Sequence, residues 1–183
     1  MKVLIIGSGG REHTLAWKVS QNSKVEKIYA IPGNPGIALL ADCINLDINN
    51  NQEIVKFALD NKIDLTIVGP EVPLTNGLVD ELAEVGLKAF GPTKVAAEIE
   101  GSKAFSKWLM KKYDIPTARF EVFEEAELAK KYVNELGAPI VIKADGLAAG
   151  KGVIIAQTIA EATEAIDSIM CDKAFGSAGH KVV

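Results

Sequence analysis

The stretch PIVIKADGLAAGKGVIIA, residues 139–156, holds two β-branched runs, 140–142 and 153–155, around a loop with Gly146, Gly150 and Gly152. Apolar runs bounded by glycines read as adjacent strands, so a hairpin is predicted here. Glycines let backbone N–H groups approach a bulky anion without Cβ clashes. Lys143 and Lys151 add point charges to the same loop. A phosphate-holding hairpin is the working expectation, and a solvated glycine-rich tip with incidental lysines is its competitor. The stretch is not a Walker loop. Three residues separate Gly146 from Gly150, where that motif has four, and Gly152 replaces its Ser/Thr. The run at 153–155 is strand-like, whereas a Walker loop opens a helix.

Upstream, short apolar runs alternate with helical spacing. Strands are expected at 2–6, 27–31, 43–46, 65–68 and 88–90. Helices are expected at 11–21, 52–61, 74–85 and 93–100, with one helical turn at 37–41. Such βαβα alternation predicts an α/β fold with a parallel sheet covered by helices on both faces, a Rossmann-like arrangement. Ligands on such sheets sit beyond the carboxyl ends of the strands. Those ends are the loops 7–11, 32–36 and 69–73, all rich in glycine or proline. From Ser102 the pattern changes to a helix at 102–113, a strand at 118–123, a helix at 125–136, the hairpin, and a helix at 159–169. This second order suggests a small α+β module. The final Lys181-Val182-Val183 reads as the start of a further strand, which suggests a fragment.

The 183 residues carry a net charge of −4 and are 48% hydrophobic, so a substantial core is expected. A pI near 5.3 argues against a general nucleic-acid binder or a binder of acidic membranes. Cys43 and Cys171 form no metal spacing and read as cytosolic thiols. The N-terminal apolar run is too short for a signal peptide, and no stretch approaches the ~20 apolar residues of a spanning helix. A cytoplasmic protein is expected.

Several residues invite chemical roles. GSGGREH at 7–13 comes after the first strand, but Glu12 stands where the third glycine of a dinucleotide fingerprint belongs. Pro32 closes the second strand, where a nicotinamide site expects an acid. The surviving reading is a glycine turn leading into a helix N-terminus, where Arg11 could grip phosphate with its fork. His13 reads first as a structural histidine and only second as a catalytic one. His180 receives no role, and the two histidines make no zinc site. Glu71, between Pro70 and Pro73, could accept hydrogen bonds from sugar hydroxyls, against the reading of a solvated loop glutamate. Lys103 lies in the first turn of a helix, a placement the macrodipole disfavours and a nearby anion would relieve.

Taken together, the chain resembles the glycinamide ribonucleotide synthetases (phosphoribosylamine–glycine ligases) of the ATP-grasp superfamily. The matching segments are GSGGREH at 7–13, PGNPG at 32–36, GPEVPL at 69–74, GP at 91–92, EGSKAF at 100–105 and PIVIKADGLAAGKGV at 139–153. Biotin carboxylase and carbamoyl phosphate synthetase share the superfamily but differ in their glycine loops. The resemblance implies a pre-ATP-grasp substrate domain at 1–101, a connecting helix and linker at 102–117, and an ATP-grasp lid subdomain at 118–183. It implies ATP, glycine and 5-phosphoribosylamine as small-molecule partners. Lys103, Lys143, Asp145, Gly146, Gly150, Lys151 and Gly152 would then face ATP. Gly9, Gly10, Arg11, Asn34 and Glu71 would face phosphoribosylamine. Family members are longer, and the Glu and Asn that hold Mg²⁺ (or Mn²⁺) are expected outside these 183 residues. The chain alone is therefore expected not to turn over. A non-catalytic binding module is the alternative reading, and a nicotinamide oxidoreductase a distant third.

Overall fold

The computed structural model describes residues 1–148 and 150–183, with Ser177 described by its backbone alone. The chain divides into two compact units, Met1–Ala97 and Glu98–Val183.

The first unit is built on a parallel five-stranded sheet of order β3-β2-β1-β4-β5. Its strands are β1 (Lys2–Gly7), β2 (Lys27–Pro32), β3 (Asp42–Cys43), β4 (Leu65–Val68) and β5 (Ala89–Phe90). Helices α1 (Gly10–Ser20), α2 (Asn51–Asp60), α3 (Glu71–Thr75) and α4 (Leu78–Glu84) connect them, and a 3-10 turn spans Ile37–Leu39. β1 is buried on both faces, which explains its uninterrupted apolar run. Leu4 and Ile6 pack with Ile54, Leu78 and Leu82 on one side, while Val3 and Ile5 pack with Ala16, Ala30 and Ile37 on the other. The register pairs Ile6 with both Ile31 and Val68. The three strands therefore end level, and the loops after them emerge side by side.

The helix expected at 74–85 is two helices. Asn76 closes α3, and Gly77, in the left-handed region at φ +90°, starts α4. A β-branched or bulky residue would resist that backbone, so the glycine sets the break.

Helix α5 (Lys94–Gly101) contains the boundary between the units. The second unit continues with α6 (Lys103–Lys112), α7 (Ala126–Leu136), strands β6 (Ile140–Lys143) and β7 (Val153–Ala156), and α8 (Ile159–Ile166). α8 runs on into a π-helical turn at Asp167–Cys171, with a 3-10 turn beyond it at Gly176–His180. β6 and β7 pair antiparallel, with Ile140 opposite Ala156 and Lys143 opposite Val153. The predicted hairpin is thus present, although Ala149 in its loop lies outside the described residues.

The expected strand at 118–123 contracts to one bridge, Phe123 with Val182. Phe123 and Val182 exchange both backbone hydrogen bonds, and Lys143 and Val183 do the same on the opposite side. Residues 181–183 therefore form an extended segment beside β6. One face of this layer packs on α7 and α8 through Ile142, Ala144, Ala156 and Val182 against Ala129, Val133, Ala162 and Ile166. The other face stays open at Val141, Val153 and Ile155, and by strand alternation Lys143 belongs to it.

Candidate functional site

Two groups of chemistry-bearing residues emerge, one in each unit. In the first unit they sit on the level loops at the carboxyl ends of β1, β2 and β4. Arg11 Nη1 donates to Glu71 Oε1 at 3.0 Å, linking the first loop to the third. That bond holds the Glu71 carboxyl below the usual carboxylate range. Asn34 links the second loop to the first. Its Nδ2 donates to the Ser8 carbonyl at 2.8 Å, and its Oδ1 accepts from the Ile37 N–H at 2.8 Å. The predicted residues Gly9, Gly10, Arg11, Asn34 and Glu71 thus share one rim.

Their roles divide once the bonds are traced. Gly9 gives its N–H to Glu12 Oε2 at 2.7 Å, and the Asn34 amide is engaged at both ends. These groups shape the loops. Gly10, by contrast, faces open space, and Arg11 is exposed. His13 lies against Gly36, where an added Cβ would stand 2.9 Å from its Nδ1, so it supports the second loop.

Glu12 is the residue that sequence reasoning passed over. Its side chain is 4% exposed, inside a cradle of glycines. A Cβ on Gly7 would meet its Cγ at 2.6 Å, one on Gly9 its Oε2 at 2.8 Å, and one on Gly69 its Cγ at 2.9 Å. The glutamate occupies the space a third fingerprint glycine would leave empty. A signal existed, because a glutamate three residues into a helix reaches back to the N-cap N–H.

In the second unit the glycine loop is tied to the start of α6. Ser102 caps α6, its Oγ accepting from the Phe105 N–H at 3.0 Å. The Asp145 carboxylate accepts from the Ala104 N–H at 3.0 Å and from the Ser102 hydroxyl at 3.2 Å. It is therefore an anion at a helix N-terminus, where the macrodipole favours one. Lys103, expected near an anion, donates its Nζ to the Gly146 carbonyl at 2.7 Å. Gly146, at φ +111°, lies close against Ala178. Farther along, the Ala144 N–H donates to the Gly152 carbonyl and the Lys151 N–H to the Ala148 carbonyl, each at 2.8 Å. Gly150, at φ +76°, faces open space, and the Lys151 side chain is exposed.

Lys143 lines a cavity of about 390 Å³ together with Lys107, Phe120, Phe123, Tyr132 and Val183. Lys107 was not foreseen. Its Nζ donates to Thr117 Oγ1 at 2.6 Å and to the Ala118 carbonyl at 3.1 Å, and it stands 5.5 Å from the centre of the Phe120 ring. Burial, and behind it the charge of Lys143, pull its ammonium below the ordinary lysine range. Its partners all lie outside α6, ten or more residues on, so helical periodicity had no means of marking it. A basic site beside apolar and aromatic walls suits a ligand that joins phosphates to a flat ring. Among the described residues, no group of three or more His, Cys, Asp or Glu side chains is placed to hold a metal ion. No described helix is long and apolar enough to cross a membrane.

The N domain of phosphoribosylglycinamide synthetase matches residues 1–100, and its ATP-grasp (A) domain matches residues 101–183. The chain is 55% identical over its whole length to the phosphoribosylamine–glycine ligase of Halalkalibacterium halodurans, and covers 43% of that protein. Among solved structures it superposes on all of its length with the phosphoribosylamine–glycine ligase of Thermotoga maritima, at a TM-score of 0.79 and 31% identity, covering 42% of that chain. The biotin carboxylase of Campylobacter jejuni shares the fold alone, at a TM-score of 0.78 and 21% identity, with 99% of this chain and 44% of that one covered. The curated relatives named here are therefore more than twice as long as these 183 residues. With both family models matched in order along the chain, it belongs to the phosphoribosylglycinamide synthetase family.

Proposed function

We propose that this chain supplies the sugar-phosphate site and the nucleotide lid of a phosphoribosylamine–glycine ligase, an ATP-dependent carbon–nitrogen ligase of purine biosynthesis. In that reaction the glycine carboxylate attacks the γ-phosphate of ATP, releasing ADP and giving glycyl phosphate. The amine of 5-phosphoribosylamine then attacks the acyl carbon, and inorganic phosphate leaves as the amide forms. Chemistry of this kind calls for alignment and charge neutralisation rather than a protein nucleophile.

The observation that carries the reading is the setting of Lys143. It ends β6 on the open face of the hairpin, beside the exposed apolar Val141, Val153 and Ile155. The glycine loop beyond it is anchored to α6 through Asp145 and Gly146. Lys143 and Lys151 would hold the ATP phosphates, with Gly150 and Gly152 letting the backbone approach them. Lys103, Asp145 and Gly146 act by fixing where that loop begins. On the first unit, Arg11 and the Gly10 turn would take the phosphate of phosphoribosylamine and Glu71 a sugar hydroxyl, on loops shaped by Gly9 and Asn34. Magnesium, when bound, would supply charge neutralisation at the phosphates, and its ligands are proposed to lie outside these residues. A cytoplasmic setting fits such a small-molecule enzyme.

The coverage of 43% of a relative's length favours a second reading, in which the chain binds these ligands without turnover. Assay of the purified chain with ATP, Mg²⁺, glycine and phosphoribosylamine tests turnover, and calorimetry tests binding. No glycinamide ribonucleotide is expected, whereas calorimetry should register binding of ATP with Mg²⁺. Product formation would overturn the inactivity. Absence of any heat with ATP would overturn the nucleotide role of this chain.

A further inference from the structure

The glycine cradle around Glu12 leaves one feature unexplained by loop shape. Glu12 Oε2 is satisfied by the Gly9 N–H, but Glu12 Oε1 is buried without a hydrogen-bond partner. A buried charged oxygen is costly unless a compensating charge lies near. Arg11 Nε stands 3.8 Å from it, while Arg11 Nη1 reaches the other way to Glu71 Oε1 at 3.0 Å. One guanidinium is therefore held between two carboxylates of opposite character. The side chain of Glu12 is 4% exposed and enclosed by Gly7, Gly9 and Gly69, so it has nowhere to go. The side chain of Glu71 is 37% exposed and open to exchange.

We infer that Glu12 is a positioning residue for Arg11, a fixed carboxylate that keeps the guanidinium at the loop rim while Glu71 gives way to the phosphate of a sugar phosphate. This deepens the proposed sugar-phosphate site and rests on that reading. The exchange is chemically balanced: one carboxylate leaves the fork of Arg11, and a phosphate with more acceptor oxygens replaces it. Glu12 keeps Nε aligned throughout, so the fork is in place before the ligand arrives. The glycines at 7, 9 and 69 acquire a common purpose, because a side chain at any of them would displace the carboxylate that aims Arg11.

The test is calorimetry of the 183-residue chain with ribose 5-phosphate, which keeps the sugar phosphate and lacks the labile amine. Glu12→Gln retains an oxygen for the Gly9 N–H and removes the charge. It should weaken binding about tenfold, within the coupling expected for neighbours in one network. Arg11→Ala should weaken it at least as much, and the double variant should bind no worse than Arg11→Ala alone. Additive losses would overturn the inference, since a merely structural glutamate acts independently of Arg11. Arg11→Lys keeps the charge but has no Nε, and should lose affinity as Arg11→Ala does even if Glu12→Gln fails to fold. Unaltered affinity in Arg11→Lys would overturn the inference as well. No binding by the unaltered chain would remove the sugar-phosphate site itself and the inference with it, whereas binding with additive losses removes the inference alone.

Discussion

The loops at 7–11 and 145–152 use the same materials, glycines, basic residues and an acid beside a helix N-terminus, and arrange them in opposite ways. In the first, the acid lies inside the helix it serves: Glu12 belongs to α1 and bonds back to Gly9 three residues earlier. In the second, the acid lies on the loop and serves a distant helix, with Asp145 bonding the Ala104 N–H of α6. The first loop is closed by its own neighbours and packed from within. The second is anchored at its beginning and has open space around Gly150. A loop packed from within suits the proposed sugar-phosphate floor, and one anchored at its start suits the proposed nucleotide cover. Glycines serve both ends, but for different reasons. At Gly69 a side chain has no room, whereas at Gly150 the positive φ alone calls for glycine.

The sharpest way to break this contrast is to add a methyl group to the floor. Gly69→Ala places a Cβ against the buried Glu12 carboxylate, and should destabilise the first unit by about 2–3 kcal/mol, as overpacking does. Gly10→Ala meets open space at the first position of α1 and should change stability by less than about 0.5 kcal/mol. Thermal unfolding of the two variants beside the parent makes the comparison. Equal effects would mean that the floor is no more tightly packed than its rim.

Acid probes the same floor more gently. The Glu71 carboxyl is held below its ordinary range chiefly by the hydrogen bond from Arg11. A depressed carboxylate contributes stability that is full above its unfolded pKa of about 4.3 and is lost as pH falls through the lower folded value. The ion pair is exposed to solvent, so the effect should stay below about 1 kcal/mol and shrink with added salt. Unfolding midpoints below pH ~4.5 should fall less steeply in Arg11→Ala than in the parent, and parallel curves would mean that the pair contributes nothing.

The same contrast explains how much was legible beforehand. β1 announces itself because a parallel strand buried on both faces is written as an apolar run, and β2 and β4, half-buried on one face, as short runs rich in apolar residues that lead into glycine or proline. The hairpin, antiparallel and open on one face, was legible instead from its two β-branched runs around the glycine loop. The segment 118–123 was misleading, because its composition suits a strand while Val182 pairs only with Phe123 there. At 74–85 a single apolar periodicity concealed the turn at Gly77. In the candidate site, Arg11 and Glu71 were singled out on loops at strand ends, where ligands sit in such sheets, and Asn34 only through the family resemblance. Glu12 was registered only as a failed glycine, since its worth depends on Gly69, far away in sequence. Lys107 was invisible because Thr117, Ala118 and Lys143 give it its character, and they meet it only in the folded unit. Local pattern carries the elements, and long-range contacts carry the chemistry.

That floor and cover hold different phosphates is tested most directly by Lys143→Ala. Lys143 ends β6 on the open face, and its loss should leave the first unit untouched. Calorimetry of the parent and variant chains should be run with ATP plus Mg²⁺ and, separately, with ribose 5-phosphate. The variant is expected to lose at least about tenfold in ATP affinity, the worth of a charge-assisted phosphate contact, and to keep its affinity for ribose 5-phosphate within about twofold. Equal loss of both ligands, or no loss of either, would contradict the division of labour between floor and cover.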